Sequence, residues 1–472
     1  MTLDETGVER TPRTPHPLRW RILGFLGVAQ LMLILDITVV AIALPHIETD
    51  LGASREALAW TISAYALTFG GLMLLGGRLA DLLGAKRIVL AGLLIFTVAS
   101  LVTGLAEASG MLIGGRVAQG VGAALLSPSA LSLVVTLFDG DERNKALGVW
   151  SALGGGGAAL GVLLGGVLTA GPGWPWVFFV NVPIGLVIIV ALGRMLPRQT
   201  PTATGARLDV FGAFLVTASS GALIYAFISA GDRGWLTVTT AVLVLVAAVG
   251  YLAFVTWQKR ARSPLMDVRL LARRPVAAGT FLILLATALM IAVFFLGTFY
   301  FQHGQGYGAM QTGLLFLPVA LATMAGANLT GRSIGRLGAR PFAVAGLIVA
   351  AAGMTIPALS MRPATVVIGV AIAAAGSGAL FVVASATALG QVAPHEAGIA
   401  SGIVSTFHEF GAASGAAVVS SVAAASLVGD TLAGFTDGFV VAAAAAGVAA
   451  LVAAALTPPK PAPQTAPSSA ST

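Results

Sequence analysis

The 472-residue chain contains no cysteine, which excludes disulfides, thiolate metal sites and a cysteine nucleophile. Charge is scarce, at 10% of residues, against about 25% in an ordinary soluble domain. The five histidines, at 16, 46, 303, 395 and 408, show no metal-ligand spacing, so no catalytic zinc is expected. No GxxxxGKS or GxxxxGKT motif occurs. The glycine run Gly154 to Gly157 lies inside an apolar stretch rather than after a strand, so nucleotide binding is not expected. A membrane enzyme would need His, Asp or Glu clustered at the membrane edge, and a sensor would need a folded domain outside it. Neither is present, so the chain reads as a non-enzyme without a cofactor.

What the chain has is apolar surface, with 57% hydrophobic residues and a mean hydropathy of +0.93. No soluble fold of this size hides so much, so the solvent is a lipid bilayer. Spans of the required length, about twenty apolar residues, are expected at 20–44, 57–79, 88–105, 111–137, 147–170, 175–194, 209–230, 236–257, 276–300, 311–330, 341–360, 365–391, 398–425 and 435–456. With the N-terminus inside, that count of fourteen puts 22 Lys and Arg residues in the inside segments and 3 in the outside loops. The positive-inside rule demands such a bias, and an odd number of spans would destroy it. Both termini are therefore expected in the cytoplasm. The net charge of +7 sits in short loops and does not suggest nucleic acid.

The chain is internally repeated. Gly77, Arg78, Gly84 and Lys86 stand 254 residues before Gly331, Arg332, Gly338 and Arg340. Gly148, Ser151, Gly157 and Gly161 stand the same 254 residues before Gly402, Ser405, Gly411 and Gly415. Two separate segments in one register indicate two related halves. The expected organisation is a disordered tail (1–18), a six-helix bundle (19–196), two inserted helices (197–260), a second six-helix bundle (261–456) and a disordered tail (457–472). The connector 258–275 is the most basic, with Lys259, Arg260, Arg262, Arg269, Arg273 and Arg274, and reads as a topology signal in contact with anionic lipid.

Ionisable side chains inside a span cost at least a few kcal/mol and need a reason. Three stand out: Asp36, Arg116 and Glu409. At about 1.5 Å of rise per residue, Asp36 lies roughly 13 Å and Arg116 roughly 8 Å below the outer face. Acid and base can meet there, either as a fixed ion pair that sets packing or as a site where Asp36 takes up a proton. A nearby cation favours the carboxylate and burial disfavours it, so a motion that parts the two drives protonation. Gln119 lies one turn from Arg116, on the same face, and is expected to bond either the pair or a substrate in the cavity. Glu409, whose counterpart in the first half is Gly155, is a second proton site, an anchor for a cationic substrate, or a carboxylate bonded between helices. Its neighbour His408, about 100° away round the helix, either lines the substrate cavity with it or is bland packing.

Two glycine features remain. Gly157, Gly161 and Gly165 recur every four residues, with Gly166 beside them, and make a smooth face for close helix contact. The link Gly77 to Arg87, with Arg78, Asp81, Gly84, Lys86 and Arg87, reads as a tight charged turn. Asp81 there either starts the next helix or pairs across the halves to latch one side shut.

These residues also carry a resemblance. Leu35 to Pro45 (LDITVVAIALP) is similar to the LDxTVVNVALP motif of helix 1 in fourteen-helix drug:proton antiporters of the major facilitator superfamily. Gly77 to Arg87 (GRLADLLGAKR) resembles the superfamily's cytoplasmic loop motif, Arg116 to Ala124 (RVAQGVGAA) its helix 4 motif RxxQGxGAA, and Gly161 to Gly166 (GVLLGG) the antiporter motif GPxxGG. Six positions depart from the pattern: Val162 replaces proline, Ala41 replaces asparagine, Leu82 and Ala85 replace basic residues, and His408-Glu409 stands where Arg-Gln is common. The resemblance implies an all-α polytopic protein of two six-helix bundles plus two inserted helices. It implies proton-coupled export of small amphipathic drugs or antibiotics from the bacterial cytoplasm by a monomer, with Arg116 in proton coupling. A proton symporter or uniporter of the same fold for a nutrient is the alternative.

Overall fold

The computed structural model describes residues 17–196, 208–390, 397–424 and 432–458, except for the side chains at 140, 141, 144, 148, 151–156, 158, 159, 397 and 398. Most of both expected tails, and the stretch 197–207 at the start of the expected insertion, lie outside the described residues. Every described secondary-structure element is helical. Lipid offers the backbone no hydrogen-bond partner, so apolar runs of this length satisfy their own amides as helices.

Twelve described helices are long and apolar enough to cross a membrane. In chain order, the first half holds α1 (Arg19–Leu51), α2 (Arg55–Leu83), α3 (Ala85–Gly104), α4 (Ser109–Leu137), α5 (Gly140–Ala170) and α6 (Trp176–Met195). The inserted pair is α7 (Val210–Arg233) and α8 (Val238–Gln258). The second half holds α9 (Arg274–Gly304), α10 (Ala309–Leu337), α11 (Ala339–Leu359), α12 (Pro363–Leu389), α13 (Ala397–Val422) and α14 (Ala433–Leu456). Helices α5 and α13 occupy the fifth and thirteenth expected spans, and both include side chains outside the described set. The twelve-helix count therefore does not by itself establish fourteen crossings.

One reading of the sequence is corrected here. Gly77 to Arg87 is not a loop. Helix α2 continues through Leu83 and α3 begins at Ala85, leaving Gly84 as the only residue between them, at φ 92°. Arg78 and Asp81 ride on the last turns of α2. In an extended apolar bundle a helix runs past the hydrocarbon until something stops it, and a left-handed glycine is a sufficient stop. Lys86 follows at the start of α3 and donates from Nζ to the Gly193 carbonyl (2.9 Å) and to that of Leu196. It thereby caps the end of α6.

Helices α2 and α3 pack on α4, and α5 lies along α1; in the second half α10 and α11 pack on α12 and α13 lies along α9. The halves meet through α2 against α13, α5 against α10 and α1 against α9. Gly70 makes the first contact possible, because a Cβ there would lie 2.7 Å from Glu409 Cβ. Ser63 donates to the Ala413 carbonyl (3.0 Å) across the same seam. Near the ends of α1 and α9, Gln302 donates to the Ile42 carbonyl (3.0 Å), and His303 Nε2 lies 3.4 Å from Glu48 Oε2. The last turn of α9, Tyr300–Gly304, widens into a π-helix at this contact.

The inserted pair leans on both halves, since α7 touches α2 and α13. Arg55 at the start of α2 pairs with Asp232 at the end of α7 (2.7 Å). At the other end Asp209 caps α7 and accepts from Trp257 Nε1 (2.8 Å) and Gln258 Nε2 (2.6 Å), closing the pair.

Candidate functional site

The Leu35–Pro45 segment puts Asp36 on the inner face of α1, and the Arg116–Ala124 segment puts Arg116 and Gln119 on one face of α4. All three side chains are buried, Arg116 and Gln119 completely. Arg116 Nη1 donates to Asp36 Oδ2 and to Gln119 Oε1 (3.0 Å). Gln119 Nε2 in turn donates to Asp36 Oδ1 (3.2 Å) and to Ser100 Oγ on α3 (2.9 Å). Arg116 Nε donates to the Thr61 carbonyl on α2 (2.8 Å). The guanidinium carbon sits 4.3 Å from the centre of the Tyr65 ring and 6.0 Å from that of Phe178. Five helices of the first half thus converge on one ion pair, and Arg116 Nη2 remains without a hydrogen-bond partner.

The glycine face meets this site from behind. A Cβ at Gly157 would lie 2.6 Å from Ile34 Cγ2 and one at Gly165 would lie 3.1 Å from the Val39 backbone, while one at Gly161 would collide with the Thr38 hydroxyl. Those residues flank Asp36 on α1, so the stripe sets how closely α5 presses on the helix that carries the carboxylate. Gly166 faces the other way, with Ala309 O of α10 3.0 Å from a hypothetical Cβ. One helix therefore touches both the ion-pair helix and the opposite half.

Glu409 does not join Asp36 and Arg116. It is buried on α13, at the α2 crossing, with Oε1 3.1 Å from His408 Nδ1 and Oε2 unpartnered. His408 is thus a neighbour of Glu409 in space, and its ring lies 5.9 Å from that of Phe381 on α12. Tyr65, whose hydroxyl donates to the Leu33 carbonyl on α1 (3.3 Å), lies on α2, the helix that Glu409 meets at Gly70. The half-buried Asp81 follows the exposed Arg78 by three residues on α2, and the two charges interact.

Sequence reasoning missed Thr61, Tyr65, Ser100 and Phe178. Their only signal was polarity or aromaticity inside an apolar run, which many packing residues share. No group of three or more His, Cys, Asp or Glu that could hold a metal ion occurs among the described residues.

Residues 26–416 match the family model described as Major Facilitator Superfamily. The chain is 39% identical over 422 residues to the puromycin resistance protein pur8 of Streptomyces alboniger, covering 86% of this chain and 82% of that protein. It is 37% identical over 404 residues to the cephamycin export protein CmcT of Amycolatopsis lactamdurans, covering 84% and 83%. Among solved structures it is similar to the peptide transporter POT in complex with sulfate, at a TM-score of 0.66 and 16% identity, over 95% of this chain and 96% of that one. At that identity the likeness speaks for the fold alone. A transporter fold, a match across most of the chain and relatives of this closeness leave one assignment: the chain is a multi-pass membrane protein belonging to the Major Facilitator Superfamily, a transporter and not an enzyme.

Proposed function

We propose that the protein is a proton-coupled antiporter that exports small amphipathic drugs or antibiotics by alternating access. One observation carries this reading: an Asp–Arg pair with both side chains fully buried inside one of the two six-helix halves. It is supported by relatives whose names denote antibiotic resistance and export. A charge pair in low dielectric has two favourable states, carboxylate against guanidinium or neutral acid with the guanidinium released. Proton arrival at Asp36 ends its attraction for Arg116. Gln119, bonded to both, passes the change to Ser100 and α3. Because α1 bears directly on α9 and also on α5, which packs against α10, a shift of α1 is felt at two contacts between the halves.

Glu409, with His408, offers a second buried carboxylate for a proton or for a substrate cation. Export of a cationic compound lost in Glu409→Gln, with export of a neutral one retained, assigns it to the substrate. Gating is assigned to the end of α2 around Gly77, Arg78, Asp81, Gly84 and Arg87; Lys86 is already engaged on α6. The chain crosses the bacterial cytoplasmic membrane fourteen times as a monomer, with both termini in the cytoplasm, on the charge bias of its loops.

Inverted membrane vesicles test the reading. When respiration has acidified their interior, an exported compound should collapse the pH gradient in vesicles with the wild-type protein and not in those with Asp36→Asn. A gradient untouched by every compound that the protein moves would point to uniport, and acidification of the medium during efflux from the vesicles would point to symport.

A further inference from the structure

A cavity of about 230 Å³ lies away from the ion pair, where the inserted helices meet the seam between the halves. Gly71 of α2, Ile403 and Phe407 of α13, Val216 of α7 and Tyr251 of α8 wall it, and Met266 of the α8–α9 connector closes one end. Almost every wall is hydrocarbon, and the hydroxyls of Ser220 and Tyr251 satisfy one another at 2.8 Å. An apolar cavity of about 150 Å³ already stays dry and takes a benzene-sized guest. This one therefore suits a larger, mainly apolar guest, with the unpartnered Thr406 hydroxyl as a polar spot in its wall.

The connector that closes the cavity is also the most basic stretch of the chain. Lys259, Arg260, Arg262 and Arg269 are exposed there, and Asp267 is the only acid between them. The outer face of α8 is lipid-like, with Leu245, Val249 and Leu252 each more than half exposed. A ligand that lies beside such a helix, ends in negative charge at the connector and enters an apolar slot is an amphiphile of the bilayer itself. We infer that the cavity holds an acyl chain of an anionic phospholipid whose headgroup is bound by the connector 259–269.

The site differs from the ion pair and depends on neither the direction of transport nor proton coupling. Its effect on transport does rest on the proposed rocking motion. The guest touches α2 and α13, which part or slide when the halves tilt, so an occupied cavity biases that equilibrium by differential binding.

Native mass spectrometry of the delipidated full chain, titrated with phosphatidylglycerol or phosphatidylcholine of identical acyl chains, tests the assignment. The wild type should retain phosphatidylglycerol in preference to phosphatidylcholine. Lys259→Gln, Arg260→Gln, Arg262→Gln and Arg269→Gln, combined on the exposed connector, should weaken it by about fivefold for each charge that contacts the headgroup. Val216→Phe, which fills the slot, should lower retention of either lipid, with an unchanged melting temperature showing that the fold persists. Equal retention of the two lipids, or retention unaffected by the four connector changes, would overturn the proposal. So would drug adducts that Val216→Phe removes while lipid adducts persist, because the cavity would then be a drug site.

Discussion

Gly84 and Gly338 stand 254 residues apart and share a positive φ, 92° and 87°, with extended ψ of 130° and 169°, each as the single residue between two long helices. The repeat visible in the sequence is therefore a repeat of backbone geometry, at the point where one helix is stopped and the next begins. A residue with a Cβ pays a steric penalty at such angles. Gly84→Ala and Gly338→Ala should each destabilise by about 1 kcal/mol or more. Thermal melting in detergent checks this, and the two should cost similar amounts because the two turns are alike.

Asp36→Asn keeps an oxygen for Arg116 to donate to and should leave the fold intact while abolishing gradient-driven efflux. Arg116→Lys is a harsher change, because an ammonium cannot reach Asp36, Gln119 and the Thr61 carbonyl along the directions of a guanidinium. Each buried acceptor left without its donor costs about 1–3 kcal/mol. Melting curves beside vesicle assays separate the two: Asn should lose transport alone, Lys both transport and stability.

The packing of α5 on α1 predicts coupling between Gly161 and Thr38. Gly161→Ala should destabilise by collision with the Thr38 hydroxyl, and Thr38→Ala should recover part of the loss in the double variant. A double-mutant cycle should give a coupling of at least about 0.5 kcal/mol, the range found for residues in contact. Additive effects would mean that the two helices separate freely.

Acid sensitivity is expected beyond the apolar spans, where Arg19 at the start of α1 donates to Glu142 at the start of α5 (2.8 and 2.9 Å). The hydrogen bond from Arg19 holds the Glu142 carboxyl below its ordinary value. A lowered carboxyl stabilises the folded state above its unfolded pKa of about 4.3, and that contribution fades as pH falls through the folded value. The melting difference between wild type and Glu142→Gln should be constant from neutral pH to about pH 5 and vanish in stronger acid. Partial exposure of both side chains keeps the difference small.

The contact between α1 and α9 can be tested in a chain that has no cysteine of its own. Gln302 reaches the Ile42 carbonyl across the halves. Close by, the side chains of Glu48 and His303 face one another at 3.4 Å, so Glu48→Cys with His303→Cys, joined by a short bifunctional thiol reagent, should halt efflux, and a reducible linker should restore it on cleavage. Efflux that persists while crosslinked would exclude separation of these helices from the transport cycle.

Much of the site was legible because it is chemically expensive. Asp36 and Arg116 stood out as charges in hydrocarbon, and a charge there must find a partner. Gln119 followed from its spacing, and the glycine face from its period of four. The partners that complete the network were not legible, since Thr61, Tyr65 and Ser100 are mild residues that owe their position to how α2 and α3 lean on α4. The charged stretch Gly77 to Leu83 read as a loop because its polarity resembles one; helical hydrogen bonding simply continues past the apolar segment. Reading Glu409 as an ionisable group inside a span did not show that it faces α2 at Gly70 rather than the buried arginine.

Composition, period and charge asymmetry determined by themselves that this chain is a helical, duplicated membrane protein, because each of those properties acts along the chain and needs no neighbour. Which carboxylate meets the guanidinium, which glycine admits which helix, and where the inserted pair rests were decided only in three dimensions. Such contacts join residues scores or hundreds of positions apart, and side-chain shape at each crossing, not sequence spacing, selects among the possible pairings.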